Sequence, residues 1–203
     1  MPEVHPSAIC DLRRVYLGDQ HRKLILSLSR LHYQKGIDIM IEVVRRVVAV
    51  HPDALFVVAG NGPLAPVVEQ WADSAGVGAN IRFVGSVDTV PLHLAAADMM
   101  LLTSRWEALP ISIVEAFRAA RPVVATDCGG VSELVDDTVG VLCPVGDVEA
   151  LADAVITLMD DDGLRAKKGE AALARSAEDR FDPEKVHANF ETVYLELVGR
   201  CQN

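Results

Sequence analysis

The chain has 203 residues, with 19 Lys and Arg against 29 Asp and Glu, so its formal net charge is −10. At roughly 100–200 residues per domain, this length predicts one domain or at most two small ones. No unbroken apolar run approaches the roughly 20 residues of a membrane span. The acidic balance argues against non-specific nucleic-acid binding, because that binding depends on clustered Lys and Arg.

The N-terminus and the cysteines indicate a compartment. The first residues, Met-Pro-Glu-Val-His-Pro, contain neither the basic nor the apolar region of a secretory signal. Four cysteines stand far apart without paired spacing, which favours free thiols in a reducing compartment; they are Cys10, Cys128, Cys143 and Cys201. We therefore expect a cytoplasmic protein.

Short apolar runs alternate with amphipathic segments along most of the chain. The first pair is a buried strand over 24–29 and a helix over 36–50, where Ile37, Met40 and Ile41 begin an apolar face of helical period. The elements that follow are strand 54–59, helix 64–75, strand 81–84, helix 90–97, strand 99–102, helix 111–120, strand 123–126, strand 141–143 and helix 148–159.

These strands lack polar–apolar alternation, which is typical of a parallel sheet covered by helices on both faces. Their alternation with helices predicts an α/β domain with a doubly wound parallel sheet of about six strands. We expect residues 1–22, which hold one short helical stretch over 11–16, to be a lead-in. Residues 23–160 would form the core, and 161–203, with helices over 163–178 and 183–198, a helical tail that packs on it.

Ligands of open parallel sheets bind beyond the carboxyl ends of the strands, and four loops there carry candidate residues. The loop after the first strand brings Arg30 and Lys35 to a helix N-terminus, a combination that suits a diphosphate. Two solvated surface cations are the alternative. After the second strand, Gly60-Asn-Gly-Pro63 is a Gly-rich turn with Pro at the helix start, and the simpler interpretation is a tight turn alone.

The third loop carries Glu107, and Glu115 lies in the first turns of the helix that follows. Their eight-residue separation spans on the order of 12 Å at helical rise, enough to reach hydroxyls at opposite ends of a polyol-diphosphate ligand. The alternative is a helix-start acid favoured by the helix dipole and a solvated Glu. In the fourth loop, Gly129 and Gly130 either admit a ligand to the backbone or only satisfy a turn with positive φ.

Taken in this order, the loops resemble the C-terminal half of a retaining glycosyltransferase of family 4, the group 1 glycosyl transferases. The strongest element is Glu107-Ala-Leu-Pro-Ile-Ser-Ile-Val-Glu115, which is similar to the paired-glutamate signature of that family. The supporting segments are Ser29-Arg-Leu-His-Tyr-Gln-Lys35, Ala59-Gly-Asn-Gly-Pro63, Arg82-Phe-Val-Gly-Ser-Val87 and Pro122-Val-Val-Ala-Thr-Asp-Cys-Gly-Gly130. Ala108 and Ser29 stand where the family commonly has glycine.

The resemblance implies the C-terminal half of a GT-B fold, in which two Rossmann-like domains face each other. This half would hold the donor, a UDP-, GDP- or ADP-sugar, and no metal or other cofactor is implied. Arg30 and Lys35 would bind the diphosphate and stabilise the leaving nucleotide. Glu115 would hold the ribose hydroxyls. With Glu107, the two cations would form the catalytic set.

The resemblance also implies which residues bind the base and the sugar at the two ends of the donor. The backbone around Gly85 and Val87 would meet the edge of the base. The sugar would be held by Glu107 and by the backbone of the residues that follow it, namely Ala108, Leu109, Pro110 and Ile111. The six histidines show no ligand spacing, so no metal site is predicted.

A partner domain is implied as well. The family's N-terminal domain supplies the acceptor site, and 203 residues leave no room for it, so we expect an excised domain or half of a split enzyme. The expected reaction is hexosyl transfer to an acceptor held by that domain, through which peripheral membrane contact is also possible. The alternative is a stand-alone nucleotide-binding module, or a subunit without transfer activity of its own. The intact set of Arg30, Lys35, Glu107 and Glu115 favours the enzyme.

Overall fold

The structure, a computed structural model, describes residues 4–18 and 23–201. Within them, one sheet of six parallel strands lies between two layers of helices. The strands are β1 (Lys23–Leu28), β2 (Ala54–Ala59), β3 (Ile81–Gly85), β4 (Met99–Leu102), β5 (Val123–Thr126) and β6 (Gly140–Cys143). The predicted doubly wound parallel sheet of about six strands is confirmed.

Eight α-helices occur in the described residues: α1 (Pro6–Leu17), α2 (Ile37–Val50), α3 (Ala65–Ser74), α4 (Val90–Ala96), α5 (Ile111–Arg118), α6 (Val148–Asp160), α7 (Asp162–Arg175) and α8 (Pro183–Cys201). Short 3₁₀ turns cover Tyr33–Lys35, Gly129–Val131 and Asp179–Phe181. Helices α2, α3 and α6 pack on one face of the sheet, and α1, α4, α5 and α7 pack on the other.

The apolar strands supply both cores because successive side chains of a strand point to opposite faces. In β4, Met99 and Leu101 belong to the cluster under α2 and α6, while Met100 and Leu102 belong to the cluster under α4 and α5. All four are fully buried. This two-sided burial is the reason that the strands show no polar–apolar alternation.

The strand order, β3-β2-β1-β4-β5-β6, places the switch point of the sheet between β1 and β4. These two strands are direct neighbours, with Ile25 opposite Met99 and Leu26 opposite Met100. The chain then runs outward from β1 on one side and from β4 on the other. As a result, the loops that follow β1 and β4 leave the sheet side by side.

The N-terminal segment contributes more than a short helical stretch. Part of the predicted lead-in, residues 1–3 and 19–22, lies outside the described residues, but α1 extends over twelve residues and buries Tyr16. The α1 side chain of Arg13 donates to the carbonyl of Ala96 and forms an ion pair of 3.3 Å with Asp98, whose carboxylate accepts the Leu24 amide. The described part of the segment therefore packs as a layer on α4 and β1.

The C-terminal segment has two parts with different environments. Helix α7 packs on α5 and buries Lys168, Gly169 and Ala172. Helix α8 lies against the turn Asp179–Phe181, and it exposes a row of apolar side chains, namely Phe190, Val193, Tyr194, Leu195, Leu197 and Val198. Residues 202–203 lie outside the described part. Among the helices described here, none is both long and apolar enough to span a membrane.

Candidate functional site

A cleft of about 510 Å³ opens at the switch point, beyond the carboxyl ends of β1, β2 and β4 and beside the start of α5. Its walls come from the loops after these strands, the loop after β3, and the first turns of α4 and α5. The lining residues are Leu28, Ser29, Arg30, Lys35, Ala59, Gly60, Ser86, Val87, Val90, Glu107, Leu109, Pro110, Ile111, Ser112 and Glu115.

The structure brings the predicted site residues together in this one cleft. The lining contains Arg30, Lys35, Val87, Glu107, Leu109, Pro110, Ile111 and Glu115. Gly85 and Ala108 adjoin lining residues: the Gly85 carbonyl accepts the Gly60 amide at 2.7 Å, and Ala108 lies in the chain between Glu107 and Leu109. Residues from separate loops thus converge because their strands are neighbours in the sheet.

Lys35 and Glu107 form an ion pair within the cleft. Lys35 Nζ lies 2.5 Å from Glu107 Oε1, and the two side chains are only 17% and 7% exposed. The Ser104 hydroxyl donates to the same carboxylate oxygen at 2.6 Å. Burial of this degree weakens solvent screening, so the pair interacts more strongly than an exposed surface ion pair.

The backbone around Lys35 is held by the end of β4. Thr103 Oγ1 lies 3.0 Å from the carbonyl oxygens of both Lys35 and Gly36, and its single hydroxyl proton is shared between them. Gly36 has a φ of 61°, and a Cβ there would lie 2.1 Å from the Thr103 carbonyl oxygen. Only glycine fits this left-handed position against β4. The turn Tyr33–Lys35 is thereby fixed directly beside the Glu107 loop.

Arg30 differs from Lys35 in that it is exposed and, within the part of the chain that the structure describes, makes no ion pair. It lines the cleft together with Lys35, two residues before α2, and with Ile111 and Ser112, the first two residues of α5. No side chain caps the N-terminus of α5, whose first residues line the cleft, and uncapped helix N-termini favour anions. This side of the cleft is therefore suited to a negatively charged group.

Glu115 lies on the inner side of α5 and is half-buried. Burial raises the pKa of the Glu115 carboxyl, and the positive charge of Arg118 offsets part of that increase. A carboxylate that has lost part of its hydration gains from hydroxyl donors. Glu115 is thus suited to accept hydrogen bonds from a polyol.

The Gly129 loop supports the Glu107 loop from behind. Gly129 has a φ of 52°, and a Cβ there would lie 1.8 Å from the Glu107 carbonyl oxygen. The Gly130 amide donates to the Ala108 carbonyl at 2.9 Å. Gly129 thus has the positive φ of the turn alternative. The backbone that it allows to approach closely is that of Glu107 in the same protein. The Gly60 loop similarly braces the first loop, because the Leu31 amide donates to the Asn61 carbonyl at 3.1 Å.

The described residues contain free thiols but no cluster of metal ligands. Cys10, Cys128 and Cys143 are free thiols; the side chain of Cys201 is not among those described. Burial raises the pKa of Cys128, which lies behind the cleft. In residues 4–18 and 23–201, no group of three or more His, Cys, Asp or Glu side chains is arranged to hold a metal ion.

The sheet order and the position of the cleft define a Rossmann-like α/β domain with its ligand site at the switch point. Residues 11–175 match the model of the family described as glycosyl transferases group 1. The chain therefore belongs to the group 1 glycosyl transferases.

Two curated relatives illustrate the similarity. N-acetyl-alpha-D-glucosaminyl L-malate synthase of Bacillus anthracis is 29% identical over 194 residues, which cover 95% of this chain and 50% of that protein. Alpha-D-kanosaminyltransferase of Streptomyces kanamyceticus is 33% identical over 165 residues, which cover 80% of this chain and 42% of that protein. The chain thus spans half or less of the length of these relatives.

Solved structures show the same fold. The HepE protein of Anabaena, crystallised with UDP and glucose, superposes with a TM-score of 0.83 at 28% identity over 95% of this chain and 52% of its own. The C-terminal domain of a group 1 glycosyl transferase from Francisella tularensis superposes with a TM-score of 0.71 at 26% identity, covering 80% of this chain and 90% of its own. The fold is that of a Rossmann-like half of a GT-B glycosyltransferase.

Proposed function

We propose that this chain is the donor-binding half of a retaining, metal-independent glycosyltransferase of family 4. It would transfer a hexosyl unit from a nucleoside diphosphate sugar to an acceptor held by a separate N-terminal domain. The observation that carries the proposal is the convergence of two cations, Arg30 and Lys35, and two carboxylates, Glu107 and Glu115, in one switch-point cleft. The retaining stereochemistry rests on the likeness of the Glu107–Glu115 segment to the family signature.

The cations would act on the leaving group. Negative charge builds on the nucleoside diphosphate as its bond to the sugar breaks, and preorganised positive groups lower the energy of that state. Arg30 and Lys35 provide charge-assisted hydrogen bonds, and the uncapped N-terminus of α5 adds partial positive charge. This arrangement supplies at the diphosphate the charge that a divalent ion supplies in other enzymes.

The carboxylates would bind hydroxyl groups at the two ends of the donor. Glu115 would accept the ribose hydroxyls, and the backbone near Gly85 and Val87 would meet the base. Glu107, with the backbone that follows it, would hold the sugar. In this role the Glu107 carboxylate exchanges its bond to Lys35 for sugar hydroxyls, while Lys35 turns to the diphosphate.

The Anabaena relative suggests which donor to test first. HepE has been crystallised with UDP and with UDP-glucose, at 27% and 28% identity to this chain. UDP and UDP-glucose are therefore the first ligands, with GDP and ADP as competitors for the choice of base. A GDP- or ADP-sugar remains within the proposal.

The proposal is tested by calorimetric titration of the 203-residue chain with UDP, GDP and ADP in the presence of EDTA. Arg30→Ala and Lys35→Ala should each remove a charge-assisted contact worth roughly 1.5–3 kcal/mol, or about 10- to 150-fold in Kd. Arg45→Ala is the matched control, because Arg45 is an exposed α2 cation paired with Glu42. Unchanged affinity in both cleft variants, or an equal loss in the control, would remove the diphosphate assignment.

A further inference from the structure

Arg105, on the loop after β4, is bonded to the loop after β1. Its backbone amide donates to the Gln34 carbonyl at 2.7 Å, and its guanidinium donates to the Tyr33 carbonyl at 2.9 Å. The same guanidinium forms a bidentate pair with the Asp38 carboxylate, at 2.9 and 2.6 Å. It also lies over the Tyr33 ring, 4.0 Å from the centroid. Arg105 therefore fastens these two loops through both backbone and side chain.

Neighbouring contacts extend this attachment on both sides. The Gln34 side-chain amide donates to the Trp106 carbonyl at 2.9 Å, and Thr103 donates to the Lys35 carbonyl at 3.0 Å. Lys35 and Glu107 lie directly beyond these contacts, one on each loop. The two side chains that meet in the cleft are thus carried by backbone segments that Arg105 holds together.

Arg105 itself does not line the ligand space. Among the described residues, it is absent from the set that lines the cleft, and its side chain is 18% exposed. Its hydrogen bond holds the pKa of Asp38 below the usual range, so the partner stays ionised at neutral pH. A bidentate Arg–carboxylate pair fixes geometry that a single-point contact cannot.

We infer that Arg105 is a positioning residue for the donor site: clamped to Asp38 and Tyr33, it presets Lys35 and Glu107 for the donor without touching it. The inference rests on the proposed donor-binding function. Lys and Glu are rich in rotamers, and ordering such side chains on binding reduces affinity. A clamp that orders their loops beforehand removes part of that cost from the binding step.

The test compares UDP binding by Arg105→Lys and Asp38→Ala with binding by the wild-type chain. Lysine keeps the charge but lacks the planar fork, so each variant should bind UDP about fivefold more weakly, the cost of ordering one rotamer-rich side chain, that of Lys35, on binding. The double variant should lose little more than either single one, because both remove the same clamp. Hydrogen exchange of the Lys35 and Gly36 amides should accelerate in all three variants without UDP present.

Arg175→Lys is a closely matched control. Arg175 pairs with Asp136 at exposures of 18% and 52%, against 18% and 49% for Arg105 and Asp38. Its guanidinium also donates to a backbone carbonyl, that of Leu134, at 3.0 Å. We expect Arg175→Lys to lower Tm about as much as Arg105→Lys does. Its UDP affinity and the hydrogen exchange of the Lys35 amide should equal those of the wild-type chain.

Three outcomes would overturn the inference. Wild-type affinity in Arg105→Lys and Asp38→Ala, with Arg30→Ala still impaired, would leave the proposed function intact and remove the clamp. Weaker binding in Arg105→Lys but not in Asp38→Ala would mean that Arg105 contacts the ligand directly. Failure of the wild-type chain to bind UDP, GDP or ADP would remove the proposed function, and this role with it.

Discussion

Lys35 Nζ and Glu107 Oε1 lie 2.5 Å apart although 72 positions separate the two residues in the chain. The cation proposed for the diphosphate and the carboxylate proposed for the sugar therefore neutralise each other across the cleft. A diphosphate competes with Glu107 for Lys35, and sugar hydroxyls compete with Lys35 for Glu107. The intact donor brings a diphosphate for Lys35 and sugar hydroxyls for Glu107, whereas a free nucleotide brings only the diphosphate.

This relationship predicts opposite effects of Glu107→Gln on two ligands. UDP should bind at least as tightly as to the wild type, because the anion that competes for Lys35 is gone. UDP-glucose should lose the charged hydrogen bond to its sugar, roughly 1.5–3 kcal/mol. Calorimetry of both ligands measures the difference, and Glu133→Gln, an exposed carboxylate after β5, should change neither. An equal loss for UDP and UDP-glucose would contradict the division of roles.

Glu115 predicts a pH dependence of donor binding. Burial raises the pKa of its carboxyl, and ribose hydroxyls donate best to the ionised form. Affinity for UDP-glucose should therefore increase as the pH rises through that raised pKa, and then level off. Glu115→Gln should bind more weakly at neutral pH and should lack this increase. A wild-type profile in the variant would exclude Glu115 from the nucleoside site.

The same carboxyl predicts a separate effect on stability. Because its pKa in the folded state is raised, the contribution of Glu115 to stability is present below the unfolded-state pKa and is lost as the pH rises through the folded-state pKa. Glu115→Gln should therefore have a higher Tm than the wild type at neutral pH, with the difference shrinking in acid. Thermal unfolding of both proteins at several pH values measures this difference in Tm. A lower Tm for Glu115→Gln than for the wild type at neutral pH would contradict the prediction.

Local signals were sufficient for the sheet and for the candidate loops, whereas the choice of Arg30, Lys35, Glu107 and Glu115 over the simpler alternatives rested on the family resemblance. Apolar runs such as Ala54–Ala59 indicate buried strands by themselves, and Arg30 and Glu107 stand just after strands, where parallel sheets bind ligands. The full extent of α1 was not predictable in this way. Its start depends on a His5 cap and on Pro6, and its packing depends on Arg13 reaching Asp98, 85 positions away.

The Arg105 clamp and the role of Gly129 were missed for a related reason. Periodicity identifies strands but not their order, and only the adjacency of β1 and β4 places Arg105 against Asp38. The glycine at 129 predicts a special backbone conformation, yet the carbonyl that it accommodates belongs to Glu107 on another loop. The bond from Ser104 to Glu107 was less hidden in the sequence than the Arg105 contacts, because the two residues lie only three positions apart in one loop.

Lys168 predicts a loss of stability without a loss of binding. This buried α7 lysine donates to the carbonyls of Asp137 and Gly140, and none of these three residues lines the cleft. Lys168→Met should leave both carbonyls without their donor and lower the free energy of unfolding by about 1–3 kcal/mol. Denaturant unfolding measures the change, with the exposed neighbour Lys167→Met as control. Unchanged stability would mean that water replaces the ammonium.

Turnover by the chain alone depends on where the acceptor is held. Transfer requires the acceptor to lie against the anomeric carbon of the donor, and such proximity can be worth ~7–11 kcal/mol of barrier. In the proposed two-domain arrangement the second domain supplies that placement, while this cleft forms one wall. Without the second wall, water screens the interactions of Arg30 and Lys35 with the donor.

We therefore expect the 203-residue chain to release UDP from UDP-glucose slowly at most and to transfer no sugar. A separately produced N-terminal domain should restore transfer, measured as glycosylated acceptor. Arg30→Ala should abolish the restored activity, whereas Arg45→Ala, on the surface of α2, should not, because only the former cation would contact the leaving diphosphate. Efficient transfer by the chain alone, to any acceptor, would show that this domain contains a complete active site and that the half-enzyme proposal is wrong.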